Sequence, residues 1–226
     1  MFQKYAILFL SLAALAAAQV VSTRPVVRAS GQGVVSVRPD QAIVSVTVQT
    51  RAETAQQVAD QNAQETNRVL EQLRIALGAA AEIRTLGYSV RPEFRQGQPQ
   101  TIIGFIATNT VQVTLNNINL ASRALDTATQ SGATSVGGVQ FTLKDFSVPR
   151  AQALREAAAQ ARKNAEAIAG GLGMTVGAIL AADDSVGGGP IPVDLRTLAP
   201  GAGAATPIEA GNLTVTATVS VQAELK

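Results

Sequence analysis

LTVTATVSVQA, residues 213–223, alternates apolar and polar side chains without interruption. The apolar positions are Leu213, Val215, Ala217, Val219, Val221 and Ala223. Successive side chains of a strand point to opposite faces of its sheet, so this pattern predicts a strand with one buried face and one wet face. Antiparallel sheets carry this pattern, because parallel strands are covered on both faces. The stretch therefore predicts an antiparallel sheet with helices on one face.

Further strands are predicted by similar patterns elsewhere in the chain. They lie at residues 34–49, 83–94, 102–115, 136–146 and 176–182. The first of them is kinked at Arg38-Pro39-Asp40, because Pro39 cannot donate a hydrogen bond to a ladder. The second and third are predicted to form a hairpin across residues 95–100.

Two helices are predicted at Ala52 to Leu77, with Gly78 as a C-cap, and at Leu120 to Gln130. A third carries apolar residues at heptad spacing. They are Ala151, Leu154, Ala158, Ala161, Ala165, Ile168 and Leu172. One interpretation is a coiled-coil seam with a partner chain, and the other is a helix laid on a sheet, where alanines permit close approach. We favour the sheet, because about three repeats are short for a coiled coil.

The predicted elements follow one another as β-α-β-β-α-β and then α-β-β. The first six have the split βαβ, ferredoxin-like order. The predicted fold class is therefore α+β, an antiparallel sheet with helices on one face.

The N-terminus has the pattern of a secretory signal peptide. Met1 to Lys4 is a short basic segment, Tyr5 to Leu15 is almost wholly apolar, and Ala16-Ala17-Ala18 suits a signal peptidase. We expect cleavage after Ala18, and a periplasmic or secreted location. The alternative, a retained anchor from Tyr5 to Val21, would be at the short end of a membrane span. Removal of residues 1–18 leaves an irregular leader at 19–30 and one domain at 31–226, with a long loop rich in Gly, Pro and Ala at 183–211.

Composition restricts the chemistry of the chain. It has no Cys and no His, so Ser-His-Asp, Cys-His and thiolate or imidazole metal sites are excluded. The formal charge of +2 is close to zero and does not indicate nucleic-acid binding, which needs a clustered basic face. Asp183-Asp184 and the pair Arg91 and Arg95 are interpreted as solvated charge. No catalytic, cofactor-binding or metal-binding residue is predicted, no cofactor is expected, and the chain is not expected to be an enzyme.

Several short sequence segments, in order along residues 29–226, resemble the SIMPL domain family of exported bacterial proteins. They are Gly31–Gly33, Val37–Ala42, Ile83–Pro92, Ile103–Asn109, Gly138–Phe141, Arg150–Ala169 and Val219–Leu225. The resemblance implies a periplasmic or outer-membrane-associated protein with a link to defence against oxidative stress, and some members that look like large ring or channel-like oligomers. The resemblance assigns no catalytic residues to this chain, because none is established for the family.

Three functions are compatible with these observations. The first is a non-enzymatic envelope protein that self-assembles through its sheet edges or its hairpin and has a protective or scaffolding role. A homo-oligomer without a nucleic-acid partner is then expected, and peripheral association with the envelope or outer membrane stays open. The second is a periplasmic binding module for a small molecule or an unfolded client, with the loop at 183–211 as a lid. The third is a hydrolase that works through carboxylates alone.

Overall fold

The computed structural model describes residues 24–185, 191–192 and 208–226. In this part of the chain, three α-helices and two antiparallel sheets follow the order β1 (Val26–Val37), β2 (Gln41–Ala52), α1 (Ala55–Leu77), β3 (Ala81–Arg95), β4 (Gln98–Leu115), α2 (Ala121–Gln130), β5 (Ser135–Thr142), α3 (Ser147–Gly171), β6 (Val176–Ser185), β7 (Ile191–Pro192) and β8 (Leu213–Leu225). The predicted α+β class is confirmed. The predicted signal peptide at 1–18 lies outside the described residues. None of the helices found in these ranges is long and apolar enough to cross a membrane.

One sheet, here called the hairpin sheet, has the strand order β3-β4-β2-β5, with every neighbouring pair antiparallel. Its core lies between the sheet and the helices α1 and α2. Side chains from the inner face of β2 and β4 meet side chains from one face of α1. The buried members from these three elements are Ala42, Val44, Val46, Val48, Val69, Leu73, Leu77, Val113 and Leu115.

The other sheet, here called the terminal sheet, has the order β1-β8-β6, and β7 pairs with the start of β8. It joins both ends of the described chain, with Val26 opposite Glu224 and Val37 opposite Leu213. The strand predicted from the alternation at residues 213–223 is confirmed, because the apolar residues of β8 are buried and its polar residues are more exposed. Helix α3 covers the buried face.

The expectation of one sheet is wrong, because the kink at Pro39 separates two sheets. The predicted strand 34–49 is β1 in the terminal sheet and β2 in the hairpin sheet. Proline has no N–H for a ladder, and the next residue, Asp40, turns toward β5. Its amide donates to the carbonyl oxygen of Thr142 at 3.2 Å, and its carboxylate accepts from the amide of Lys144 at 2.8 Å.

Helix α3 packs on the sheet, as the favoured interpretation has it, but the heptad register is wrong. Its buried stripe is the alanine ridge Ala153, Ala157, Ala161, Ala165 and Ala169, each fully buried and four residues from the next. Ile168 and Leu172, which the heptad would bury, are 44% and 64% exposed. Small residues on the buried ridge permit a closer approach than larger ones would.

Glycines on β1 complete this close contact. A Cβ atom on Gly31 would collide with the backbone of Ala157 and Ala161, and one on Gly33 would collide with the carbonyl oxygen of Ala153. The helix backbone therefore rests directly on the strand at these two positions, and any side chain there would force the helix away from the strand.

Other boundaries also differ from the expectations. β1 begins at Val26, inside the stretch 19–30 that was expected to be irregular. The hairpin turn occupies only Gln96 and Gly97, with Gly97 at a φ of 77°. β6 runs to Ser185 and β7 occupies 191–192, so the predicted loop at 183–211 contains strand residues. The remainder of that loop, at 186–190 and 193–207, lies outside the described residues.

Candidate self-association surface

The β3–β4 hairpin concentrates the exposed apolar surface of the molecule. Of the thirteen large apolar residues that the described part of the chain exposes, six lie on this hairpin. They are Leu86, Tyr88, Val90, Phe94, Ile102 and Ile103, here called the hairpin surface. Single exposed apolar residues are normal, but such a concentration marks interaction sites.

The hairpin is exposed because it extends beyond the strands and helices that cover the rest of its sheet. β2 pairs with β4 only as far as the pair Ala52–Phe105. Beyond that point, residues 98–104 of β4 have only β3 beside them among the described strands. A two-stranded ribbon is marginally stable in water without further packing. The tip of the hairpin therefore lacks the third strand and the helix that stabilise its base.

β3 forms the edge of the hairpin sheet, and none of the described strands pairs with its outer side. An edge strand presents unpaired N–H and C=O groups, which another strand can bind. β3 has 15 residues, whereas strands commonly have about 5–6. Charges, prolines and bulges on an edge strand restrict which strand can pair with it, and β3 carries all three, at Arg84, Pro92 and Leu86.

The bulge at Leu86 determines which side chains of β3 share a face. Thr85 lies opposite Val111, and Gly87 lies opposite Thr110, so Leu86 is an extra residue between them. The helix-covered face therefore takes odd residues before the bulge and even residues after it. It carries Ile83, Thr85, Tyr88, Val90 and Pro92, and the opposite face carries Glu82, Arg84, Ser89, Arg91 and Glu93.

The charges of β3 lie on the face away from the helices. Glu93 forms an ion pair with Arg51 of β2 at 3.4 Å. Arg91 and Arg95 flank Glu93 on the same strand. The structure therefore places a carboxylate between the two arginines, which fits their interpretation as solvated charge better than an anion site.

A shallow groove of about 530 Å³ lies on the exposed face of the terminal sheet. It is lined by polar side chains of three adjacent strands, among them Arg28, Ser30, Asp183, Ser220 and Gln222. Arg28 donates from Nε to Oε1 of Gln222 at 3.3 Å. The groove contains charges of both signs at its wall.

The acidic pair Asp183-Asp184 is divided between two environments. Asp183 lines the groove, whereas Asp184 forms an ion pair with Arg150 of α3 at 3.2 Å. Within the described ranges, no group of three or more Asp or Glu residues is close enough to hold a metal ion. The two neighbouring carboxylates therefore have different surroundings.

A buried polar cluster ties α1 to the hairpin sheet. Asn62 is fully buried and donates to the carbonyl oxygens of Val48 at 3.1 Å and Ala107 at 3.3 Å. Thr66 donates to Oδ1 of Asn62 at 3.4 Å. Buried polar groups of this kind are satisfied by hydrogen bonds and specify one packing arrangement. The cluster is structural, since it links helix α1 to backbone carbonyl oxygens of two strands of the core.

Sequence reasoning named the hairpin as a route to assembly but did not name its residues. One signal would have found them. Ile102 and Ile103 are adjacent apolar residues, so a strand through them is apolar on both faces, and Phe94 lies opposite Ile102. A strand segment that is apolar on both faces but has another strand on one side only indicates a partner surface.

The described residues define an α+β protein with two antiparallel sheets and an exposed apolar hairpin at one edge. The chain belongs to the SIMPL family, described as protein of unknown function (DUF541), whose profile matches residues 27–223. It is 24% identical over 229 aligned residues to the 26 kDa periplasmic immunogenic protein of Brucella melitensis, with 96% of this chain and 91% of the relative covered. The protein of the same name from Brucella abortus matches to the same extent.

Solved structures resemble only parts of the chain. AtUAH in complex with glyoxylate is 10% identical with a TM-score of 0.32, over 55% of this chain and 35% of that one. A hydantoinase/carbamoylase family amidase from Burkholderia ambifaria is 13% identical with a TM-score of 0.22, over 52% of this chain and 29% of that one. The chain thus spans about a third of the length of these structures, and scores this low carry no argument about its activity.

Proposed function

We propose that this protein is a non-enzymatic periplasmic protein whose work depends on self-association through the hairpin surface. Its N-terminal sequence and the names of its Brucella relatives support the periplasmic location. The family resemblance supports a protective role related to oxidative stress, or a scaffolding role. The observation that carries self-association is the concentration of exposed apolar side chains on one hairpin.

The hairpin surface is large enough to drive association. Burial of a large apolar side chain contributes about 1.5–3 kcal/mol, so a half-exposed one contributes about 1 kcal/mol more when it is covered. Six such residues in each of two copies contribute roughly 12 kcal/mol. Loss of translational and rotational freedom costs about 4–15 kcal/mol, which is of the same order. The apolar term alone can therefore offset most of the cost of pairing two copies.

The test is the mass of residues 19–226 in solution. Light scattering over a range of concentrations is expected to give a mass above that of the monomer for the unmodified sequence. The triple variant Tyr88→Ser, Phe94→Ser and Ile102→Ser is expected to be monomeric, with an unchanged circular dichroism spectrum because all three side chains are exposed.

A matched control removes three exposed apolar side chains outside the hairpin. Ile75→Ser, Val148→Ser and Leu172→Ser alter residues that are at least as exposed as those of the hairpin surface. This variant is expected to keep the mass of the unmodified protein. A monomer at every concentration, or an equal loss of association in both triple variants, would refute the proposal.

A second candidate function, a binding module, is favoured by the groove of the terminal sheet. Arg28 and Asp183 place opposite charges at its wall, which suits a small zwitterionic ligand such as a free amino acid. A ligand that binds only the folded state raises the melting temperature by mass action. We expect at least one amino acid at millimolar concentration to do so, and Arg28→Gln to remove the rise. No rise with any amino acid would end this reading.

A further inference from the structure

We propose that two copies pair along the outer edges of β3, antiparallel, about a two-fold axis that passes through Ser89. This inference rests on the proposed self-association and specifies its partner, a second copy, and its register. It would join two four-stranded hairpin sheets into one sheet of eight strands, with the helices of both copies on the same face. The free edge of β3, its bulge and its charges favour this pairing.

The free edge supplies the hydrogen-bonding groups. β3 has β4 on one side, and its other side is without a partner in the described ranges. A second antiparallel β3 would satisfy these groups, apart from the missing N–H at Pro92. The axis of such a pair is perpendicular to the sheet, so it preserves faces. Helix-covered side chains of one copy must lie opposite helix-covered side chains of the other.

The bulge keeps this register consistent with the rule along the whole strand, and registers two residues away obey it as well. With Ser89 opposite its own copy, Tyr88 lies opposite Val90, and both belong to the helix-covered face. Beyond Leu86, which is the extra residue, the pairing shifts by one position. Ile83 then lies opposite Phe94, again on the same face. A slip of one residue would place every side chain on the wrong face.

Charges favour this register over its neighbours. It places Glu82 opposite Arg95 and Arg84 opposite Glu93, and the symmetry repeats each pair, so four pairs of opposite charge form. A slip of two residues in one direction places Arg84 opposite Arg91 and Glu82 opposite Glu93. A slip of two in the other direction places Arg84 opposite Arg95. Opposite charges across a strand pair stabilise it, and like charges destabilise it.

The pairing would also bring together apolar side chains that are exposed in the monomer. Tyr88 is 53% exposed and Val90 is 37% exposed. In the paired sheet these four side chains from two copies form one cluster at the axis, and Ile83 with Phe94 forms a second cluster on each side. Three exposed apolar side chains of β3, Tyr88, Val90 and Phe94, therefore gain apolar neighbours from the second copy.

A cysteine cross-link tests the register directly, because the native sequence has no cysteine. Ser89→Cys places one thiol at the axis, opposite its own copy, where Cβ atoms of an antiparallel pair are about 4.5–5.5 Å apart. We expect a short bifunctional thiol reagent to convert this variant to covalent dimer. The control Ser30→Cys, exposed on the terminal sheet, is expected to form no covalent dimer under the same conditions. Equal cross-linking of the two variants would overturn the register.

Charge reversal provides an independent measurement by sedimentation equilibrium. Arg84→Glu places like charges opposite each other twice and is expected to raise the dissociation constant about tenfold. The double variant Arg84→Glu with Glu93→Arg restores opposite charges and is expected to return within about threefold of the unmodified protein. An additive effect of the two substitutions would overturn this register.

The results separate the two proposals. If the unmodified protein associates but neither measurement responds, the β3 pairing is wrong and self-association through another part of the hairpin surface stands. If the unmodified protein is a monomer at every concentration, both proposals fail together with the hairpin surface as a partner site.

Discussion

Replacement of Gly31 by alanine adds one methyl group at the point where α3 rests on β1. The added Cβ would collide with the amide nitrogen of Ala161 and the carbonyl oxygen of Ala157. Both obstacles are helix backbone, so no side-chain rotation relieves the overlap. Normal carbon contacts lie at about 3.5–4 Å, so α3 would have to retreat by about 1.5 Å.

The cost of that retreat follows from the packing beneath the helix. Overpacking of a filled core costs about 1–3 kcal/mol. We expect the upper end, about 3 kcal/mol, because the fully buried alanine ridge from Ala153 to Ala169 must move as a unit. For a domain of this size, about 1 kcal/mol lowers the melting temperature by about 2–4 °C. Gly31→Ala should therefore lower it by roughly 6–12 °C.

Thermal unfolding followed by circular dichroism, with urea unfolding beside it, measures the effect. Gly138→Ala is a matched control, because a Cβ there meets nothing within 4 Å and the residue lies on an exposed part of β5. That variant should stay within about 0.5 kcal/mol of the unmodified protein. A Gly31→Ala protein as stable as the control would show that α3 does not rest on the strand as described.

Two other substitutions test the remaining structure. Asn62→Ala removes the amide that binds the carbonyl oxygens of Val48 and Ala107, and the loss should be about 2–3 kcal/mol in urea unfolding; a neutral result would contradict a satisfied buried cluster. Asp145 accepts hydrogen bonds from the amide and hydroxyl of Ser147 at 2.8 and 2.9 Å, and these two bonds lower the pKa of its carboxyl. The pKa of this carboxyl is lower in the folded protein than in the unfolded chain, so the ionised carboxylate stabilises the folded state. This stabilisation is complete above the ordinary pKa of about 4 and is lost as the pH falls from there to the folded pKa. Asp145→Asn should remove this part of the acid dependence of the melting temperature, and identical pH profiles for both proteins would contradict it.

Sequence periodicity predicted element types well and the buried face of α3 poorly. Strand alternation gives one answer, because its period is two and each face is either apolar or polar. Helix α3 contains many alanines, so several stripes of similar hydrophobicity compete. The contact with Gly31 and Gly33 selects the one stripe in which every residue is alanine. That selection depends on a contact between two segments about 120 residues apart in the chain. Local periodicity carries no information about such a contact.

The candidate surface shows the same division. The length of the hairpin and its apolar residues can be read from residues 83–115, but its exposure cannot. β4 carries buried residues as far as Gly104, near the end of its pairing with β2, and is exposed at Ile102 and Ile103, where β2 has ended. The bulge at Leu86 is also absent from the apolar pattern, yet it decides which side chains of β3 share a face.

The sequence by itself determined the α+β class, the strand character of 213–223, the exclusion of cysteine and histidine chemistry, and the family resemblance. Each of these depends on residue type or on local spacing, which folding does not change. Only the tertiary structure decided the division into two sheets at Pro39, the alanine ridge of α3, the burial of Asn62 and the free edge of β3. Each of these depends on contacts between distant segments, where packing geometry selects one arrangement among several that local pattern allows.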